Sequence, residues 1–257
     1  MKYLNDISYK DCVGKVCKSL NSGDFKVLKC NGSKNIEIQF LNTGFETKVQ
    51  LGSIRNGNVK DPYLPSVYGV GVAGAKYPIT VNGRNIKEYV LWKEMLRRCY
   101  SDNYKKRQPT YEGCEVSDKF KSYEYFYEWC HKQIGFGVEG FELDKDLLVK
   151  GNKVYSESTC VFIPREINSL LIKSTASRGE HLIGVSWDNT SKAFKATVRK
   201  NKGKSEHLGY FTTEIEAFNA YKQAKESFVK EQANKWKGQI DERAYLALIN
   251  YEVSIDD

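Results

Sequence analysis

Histidine is scarce in this chain, with three in 257 residues, and none of its seven cysteines forms a Cys-x-x-Cys pair. A zinc site built from closely spaced ligand pairs is therefore not expected. No apolar run approaches the roughly 18 residues that a spanning helix needs, so no membrane partner is expected. Met1 to Asp11 lacks the apolar core of a secretory signal. With an odd cysteine count, this favours reduced thiols in a cytoplasm. Low-complexity segments and internal repeats are also missing.

What remains is the composition of a folded protein: 40% hydrophobic, 28% charged and 13% aromatic residues, mostly tyrosine. At roughly 100–200 residues per domain, the length suggests two or three small domains. The net charge is +8 and the pI about 8.9. That sign favours a polyanionic partner, nucleic acid above all, against the plainer alternative of a merely basic soluble protein.

The chain reads as α+β, in three modules and a tail. Residues 1–78 alternate apolar and polar in short runs: Phe25 to Leu28, Ile36 to Phe40 and Thr47 to Leu51. Gly and Asn turns between them predict a small β meander or barrel. Asp61-Pro-Tyr-Leu-Pro65 marks its boundary. Gly69-Val-Gly71-Val-Ala-Gly74 has the letters of a dinucleotide loop, but no helix signal follows it directly. A flexible crossing is expected there, with no organic cofactor.

Residues 79–173 hold two helices. Tyr89, Trp92, Met95, Leu96 and Cys99 share a face of the first. Tyr123, Phe126, Tyr127 and Cys130 share a face of the second, with Ser117 as its N-cap. Phe141 to Asp146 then reads as strand and turn, and Thr159 to Ile163 as a second strand. Pro164, at a first helical position, opens a helix through Asn168 and Leu171.

Residues 174–238 form the last module, entered through a polar linker at 174–182. Three strands are expected: Ile183 to Trp187, Ala193 to Arg199 and His207 to Phe211. A helix follows, with Thr213 as N-cap and Glu216 completing a capping box. Its apolar face, Ala217, Phe218, Tyr221, Ala224 and Phe228, must cover one side of the sheet. In the middle strand Phe194, Ala196 and Val198 point one way, and Lys195, Thr197 and Arg199 the other. Lys192 to Lys204 holds six basic residues and no acid. The uncovered face is therefore expected to carry Ser186, Trp187, Lys195, Thr197 and Arg199, which suits phosphates and base edges of duplex DNA. A solvated basic hairpin is the alternative. Residues 239–257 are a tail with a helix expected around Tyr245, Leu246 and Leu248.

Gly184-Val-Ser-Trp187, Lys195-Ala-Thr-Val-Arg199, His207-Leu-Gly-Tyr-Phe-Thr-Thr213 and Glu216-Ala-Phe-Asn-Ala-Tyr221 resemble the AP-two/ethylene-response-factor DNA-binding domain. The resemblance covers about 50 residues and implies double-stranded DNA as partner. Carried over by position, it implies contacts at Ser186, Trp187, Lys195, Thr197, Arg199 and His207, with the turn cations Lys200, Lys202 and Lys204 beside them. Ser186 replaces the family's Arg after Gly-Val, and His207 its Trp before Leu-Gly. The plant base preference therefore does not transfer.

Leu143-Asp-Lys-Asp146, Gly151-Asn-Lys153, Tyr155 to Cys160 and Val161 to Asn168 resemble the ββα-metal motif of phage HNH endonucleases. The resemblance implies a metal on Asp144 and Asn168, Mg²⁺ or Mn²⁺ given oxygen ligands, with Asn152 orienting the loop. The general-base position, histidine in the family, falls on Lys145. A lysine in water titrates near 10.4 and serves as a base at pH 7 only beside a cation or when buried. His131 is the other imidazole in reach of this module.

Three readings stay open: a metal-dependent DNA endonuclease of phage or mobile-element type, an inactive module kept for DNA binding, and a protein-binding factor with a host target. If a phage encodes the chain, the cytoplasm is the host's. Cys99, Cys114, Cys130 and Cys160 read as buried apolar residues rather than a structural metal site. The first module resembles SH3-like barrels and carries no chemistry, although Lys48, Arg55 and Lys60 offer nonspecific phosphate contacts.

Overall fold

Alternation, interrupted by one register shift between Val27 and Lys29, builds the first sheet. The strands are β1 (Val16–Lys18), β2 (Asp24–Cys30), β3 (Ile36–Phe40) and β4 (Glu46–Val49), an antiparallel meander in sequence order. Phe25, Val27, Ile36, Ile38 and Phe40 all point to one side and are fully buried. Phe25 lies opposite Phe40, their rings edge to face at 5.7 Å. Each such buried side chain stabilises the module by about 1.5–3 kcal/mol. Among the described residues the expected barrel does not close: β1 pairs only with β2, and β4 only with β3. Instead α1 (Leu51–Arg55) turns Leu51 and Ile54 onto the apolar face that further strands would have covered.

The computed structural model describes residues 11–171, 180–201 and 204–256. They are mixed α+β and divide into two units, residues 1–128 and 129–257.

In the first unit a two-stranded hairpin, β5 (Thr80–Val81) and β6 (Arg84–Asn85), turns through Asn82 and Gly83, both at positive φ. It leads into α2 (Lys87–Tyr100), which buries Trp92, Met95, Leu96 and Cys99. α3 (Asp102–Arg107), a 3₁₀ turn at Pro109–Tyr111, β7 (Glu115–Val116), α4 (Asp118–Lys121) and α5 (Tyr123–Cys130) follow. Ser117 caps α4, not the longer helix expected from sequence, by accepting from the Phe120 N–H. The helix breaks at Ser122 because Tyr123 N–H donates to the Val72 carbonyl and Val72 N–H to that of Lys121.

That pairing also explains the glycine run. A Cβ on Gly71 would lie 2.4 Å from Leu96 Cδ1, and one on Gly74 2.2 Å from Glu124 Oε1. The glycines let the crossing chain lie against α2 and α5, and the dinucleotide pattern is incidental.

The second unit begins with β8 (Phe141–Asp144), β9 (Val154–Tyr155), β10 (Val161–Pro164) and α6 (Arg165–Leu171). β8 and β10 pair antiparallel, giving strand, loop, strand, helix. Pro164 ends β10 opposite Phe141, so the helix opens one residue later than expected. Then come β11 (Val185–Asp188), β12 (Ala193–Asn201), β13 (Lys204–Phe211) and α7 (Glu214–Lys235). The expected capping box forms: Thr213 Oγ1 accepts from Glu216 N–H, and Glu216 Oε2 from Thr213 N–H at 3.1 Å. Most of the expected linker lies outside the described residues, but Leu182 already packs against the sheet–helix core.

α7 does two jobs. Its first half covers the sheet with Ala217, Phe218 and Tyr221. Its second half holds α6: Lys225 Nζ donates to the Leu170 carbonyl at 2.7 Å, and Glu166 accepts from Lys235 Nζ and Trp236 Nε1. The tail is also part of this unit. It forms α8 (Glu242–Ile249), beyond which Val253 is buried with Val198, Phe218 and Tyr221. No described helix is long and apolar enough to cross a membrane.

Candidate nucleic-acid interface

Cross-strand register fixes which side chains share the face that α7 leaves open. Ala196 and Val198 are buried beneath α7, so Lys195, Thr197 and Arg199 project the other way. Partners lie on the same face as the residues they oppose. Ser186 and Tyr210 flank Lys195, His207 opposes Thr197, and Ser205 opposes Arg199. The open face is thus Ser186, Lys195, Tyr210, Thr197, His207, Arg199 and Ser205, with two cations in those rows and the Asp188 carboxylate in the next row beyond Ser186.

A bulge shapes one edge of this face. Ala196 opposes Gly209 but Thr197 opposes His207, leaving Leu208 as the extra residue. Leu208 packs into the core, and Gly209 adopts φ +143°, which L side chains rarely adopt. The bulge brings His207 and Tyr210, three residues apart, to the same side, with rings 4.7 Å apart. Simple alternation puts Tyr210 on the opposite side from His207, so the tyrosine was missed. The signal was Gly209, since an isolated glycine in a strand often marks a bulge.

Two expected contacts are placed otherwise. Trp187 cannot share a face with its neighbour Ser186; it opposes Phe194, ring against ring at 4.9 Å, on the side of α7. Lys200 falls at a second register shift, between Arg199 and Asn201, and pairs with Glu206 at 2.7 Å. Lys202 lies outside the described residues, and Lys204 begins β13 opposite Asn201. The turn into β12 is closed by Asp188, whose carboxylate accepts from Ser191 N–H at 2.7 Å. That bond, helped by Lys195, holds the Asp188 carboxyl below the usual range.

The ββα element forms a second site. Asp144 and Asn168, the expected metal ligands, both line an open cleft of about 680 Å³, together with Asp146, Lys150, Asn250 and Glu252. Asn168 Nδ2 donates to Glu142 at 3.0 Å, and Arg165 holds the same carboxylate. Asp144 Oδ1 accepts from the N–H groups of Asp146 (2.9 Å) and Leu147 (2.7 Å). Desolvation nevertheless dominates and pushes this carboxyl above the ordinary range.

Lys145 is not placed to act as a base. Its side chain is 8% exposed and is bonded to the Asp146 carboxylate and the Asn152 carbonyl. The ammonium bolts the 146–153 loop and does not line the cleft. Asn152 does the same work from the other side. It donates to the carbonyls of Lys145 and Val154, both at 2.7 Å, and accepts from Val154 N–H. It orients the loop, as expected, and all three bonds go to backbone. His131 packs on Phe136 and does not line the cleft.

Cys160 is fully buried, and burial pushes its thiol up to about 12. Cys99, Cys114 and Cys130 are buried as well, and among the described residues no group of three or more His, Cys, Asp or Glu is placed to hold a metal. A divalent ion held at the cleft by the two expected ligands, Asp144 and Asn168, would have the Asp146 and Glu252 carboxylates on the same lining. Magnesium often accepts so few protein ligands, keeping waters or substrate phosphates for the rest. In the first unit, Lys48 is engaged with Glu37 at 3.6 Å.

Asp144 yields a pH-dependent expectation. A carboxyl whose ionised form is disfavoured by the fold weakens folding wherever it is ionised. Stability therefore rises as pH falls through its raised folded value, and the gain is complete below the ordinary value near 3.9. Asp144→Asn keeps an acceptor for both N–H groups and removes the charge. Thermal unfolding is expected to show the variant more stable than wild type at pH 7. The difference should shrink toward pH 4. A variant weaker than wild type at pH 7 contradicts this.

No protein-family model, curated protein or solved structure matches the chain.

Proposed function

We propose that this protein binds duplex DNA through the open face of β11, β12 and β13. The carrying observation is the register that sets Lys195, Thr197 and Arg199 in one row, with Ser186, Tyr210 and His207 beside them. Cations serve the phosphates, while hydroxyls, imidazole and guanidinium can address base edges from a rigid strand. The resemblance of Gly184 to Tyr221 to the AP-two/ethylene-response-factor domain supports this reading. The test is a fluorescence-anisotropy titration of wild-type protein with labelled duplexes, from about 50 to 200 mM salt. Affinity should fall steeply with salt, because bound phosphates release counterions. Absence of salt-dependent binding contradicts the proposal.

A second reading, phosphodiester cleavage, is favoured by Asp144 and Asn168 lining one cleft in the strand–loop–strand–helix order of HNH endonucleases. A divalent cation on these residues would supply charge stabilisation at the scissile phosphate. Asn152 and Lys145 would keep the loop in place; neither would move a proton. Purified protein and Asp144→Ala should be incubated with supercoiled plasmid and Mg²⁺ or Mn²⁺. Metal-dependent nicking lost in the variant supports cleavage. No nicking by either leaves the ββα element as a companion of the binding face.

A further inference from the structure

The excess positive charge is not where the sheet is. Residues 129–257 hold 19 basic and 18 acidic residues, whereas residues 1–128 hold 21 basic and 14 acidic. The unit carrying the open sheet face is nearly neutral, so most of the long-range attraction for a polyanion comes from the other unit. Within that unit the excess is concentrated. Residues 93–111 contain six basic residues, Lys93, Arg97, Arg98, Lys105, Lys106 and Arg107, against Glu94 and Asp102.

These residues form a built corner. The Arg97 guanidinium lies 4.4 Å from the Tyr104 ring centroid, and Arg98 lies 5.5 Å from that of Tyr111. The two tyrosine rings pack at 5.6 Å. Two cation–π contacts thus pin α3 and the 3₁₀ turn against the end of α2. Glu94 pairs with Arg97, and Arg107 Nε is held by the Asn103 carbonyl. Lys106 and Arg107 are exposed at the last turn of α3, and no carboxylate of the described residues pairs with Lys105, Lys106 or Arg107. The helix dipole favours cations there, which stabilises the cluster without acidic partners. An ordinary solvated surface alternates its charges; this one concentrates a single sign on a braced element.

We propose that the α2–α3 corner is a second nucleic-acid contact, taking the phosphodiester backbone of duplex DNA without reading its sequence. This rests on the DNA-binding reading of the chain. The protein would then divide its work: the first unit supplies sequence-independent affinity, and the sheet face supplies preference.

The experiment uses the full chain and fluorescein-labelled duplexes of several different sequences. Four proteins are compared by anisotropy across a salt series: wild type, Lys105→Ala/Lys106→Ala/Arg107→Ala, Lys195→Ala/Arg199→Ala, and the combination. Unchanged circular dichroism and thermal midpoint confirm folding. The triple variant should bind every duplex more weakly by the same factor. Its salt slope should be shallower by about 0.9 for each phosphate no longer neutralised, about 2.7 for three. The Lys195/Arg199 variant should keep salt-dependent binding, and the combination should lose it. A folded triple variant with wild-type affinity and slope overturns the corner. If instead only the Lys195/Arg199 pair proves silent, the sheet reading falls and the corner stands. If wild type binds no duplex, both fall.

Discussion

Gly184→Ala is expected to cost about 2–5 kcal/mol of stability in the second unit and to weaken the share of duplex binding that the sheet face supplies. Gly184 adopts φ +78°, and a Cβ there would lie 2.1 Å from Cδ2 of Tyr221. The two penalties add. Left-handed backbone costs an L side chain about 1–2 kcal/mol, and overpacking a core costs about 1–3 kcal/mol more. Tyr221 has little room to move, since it is buried with Val198, Phe218 and Val253. The Gly184 carbonyl also accepts from Thr197 N–H at 2.9 Å, so displacing it disturbs the register of β11 on β12. Gly140→Ala is the control: it has the same sign of φ, +79°, but nothing within 4 Å of its Cβ position. It should cost only the backbone penalty. Urea or thermal unfolding of the two variants decides the matter, and equal losses would remove the packing explanation.

Lys195→Ala/Arg199→Ala is expected to weaken duplex binding by at least about tenfold at low salt, as removal of well-placed cations does. Both lie in β12, flanked by partners that are small or polar, so truncation leaves no core cavity. The neighbouring aromatics should divide by face. Tyr210→Ala removes a ring from the row of Lys195 and should lower affinity. Trp187→Ala removes a ring that is packed on Phe194 on the other side, 43% exposed. It should cost stability and leave the salt slope unchanged. Equal binding defects from the two would mean that the strand faces are assigned wrongly.

Much of this was legible in the sequence, and for local reasons. The Thr213–Glu216 capping box is a short-range exchange of hydrogen bonds, and it forms where the letters place it. Alternation in β12 sorted Lys195, Thr197 and Arg199 from Ala196 and Val198. The misplacements come from non-local contacts. Trp187 is the exception: reading it onto the open face beside Ser186 breaks simple alternation, since adjacent residues of one strand face opposite ways. The bulge that turns Tyr210 to His207's side depends on pairing with β12. The break between α4 and α5 is imposed by Val72, some fifty residues away. In the ββα element the order of strand, loop, strand and helix was legible. The burial of Lys145 was not, because Asp146, Asn152 and Tyr155 close around it only once the loop folds.

The most direct test of DNA binding by the sheet face is the slope of log affinity against log salt for wild type and Lys195→Ala/Arg199→Ala on one duplex. The variant line is predicted to be shallower by about 1.8, the equivalent of two phosphates. Parallel lines of equal affinity, from a variant with unchanged thermal midpoint, would contradict it.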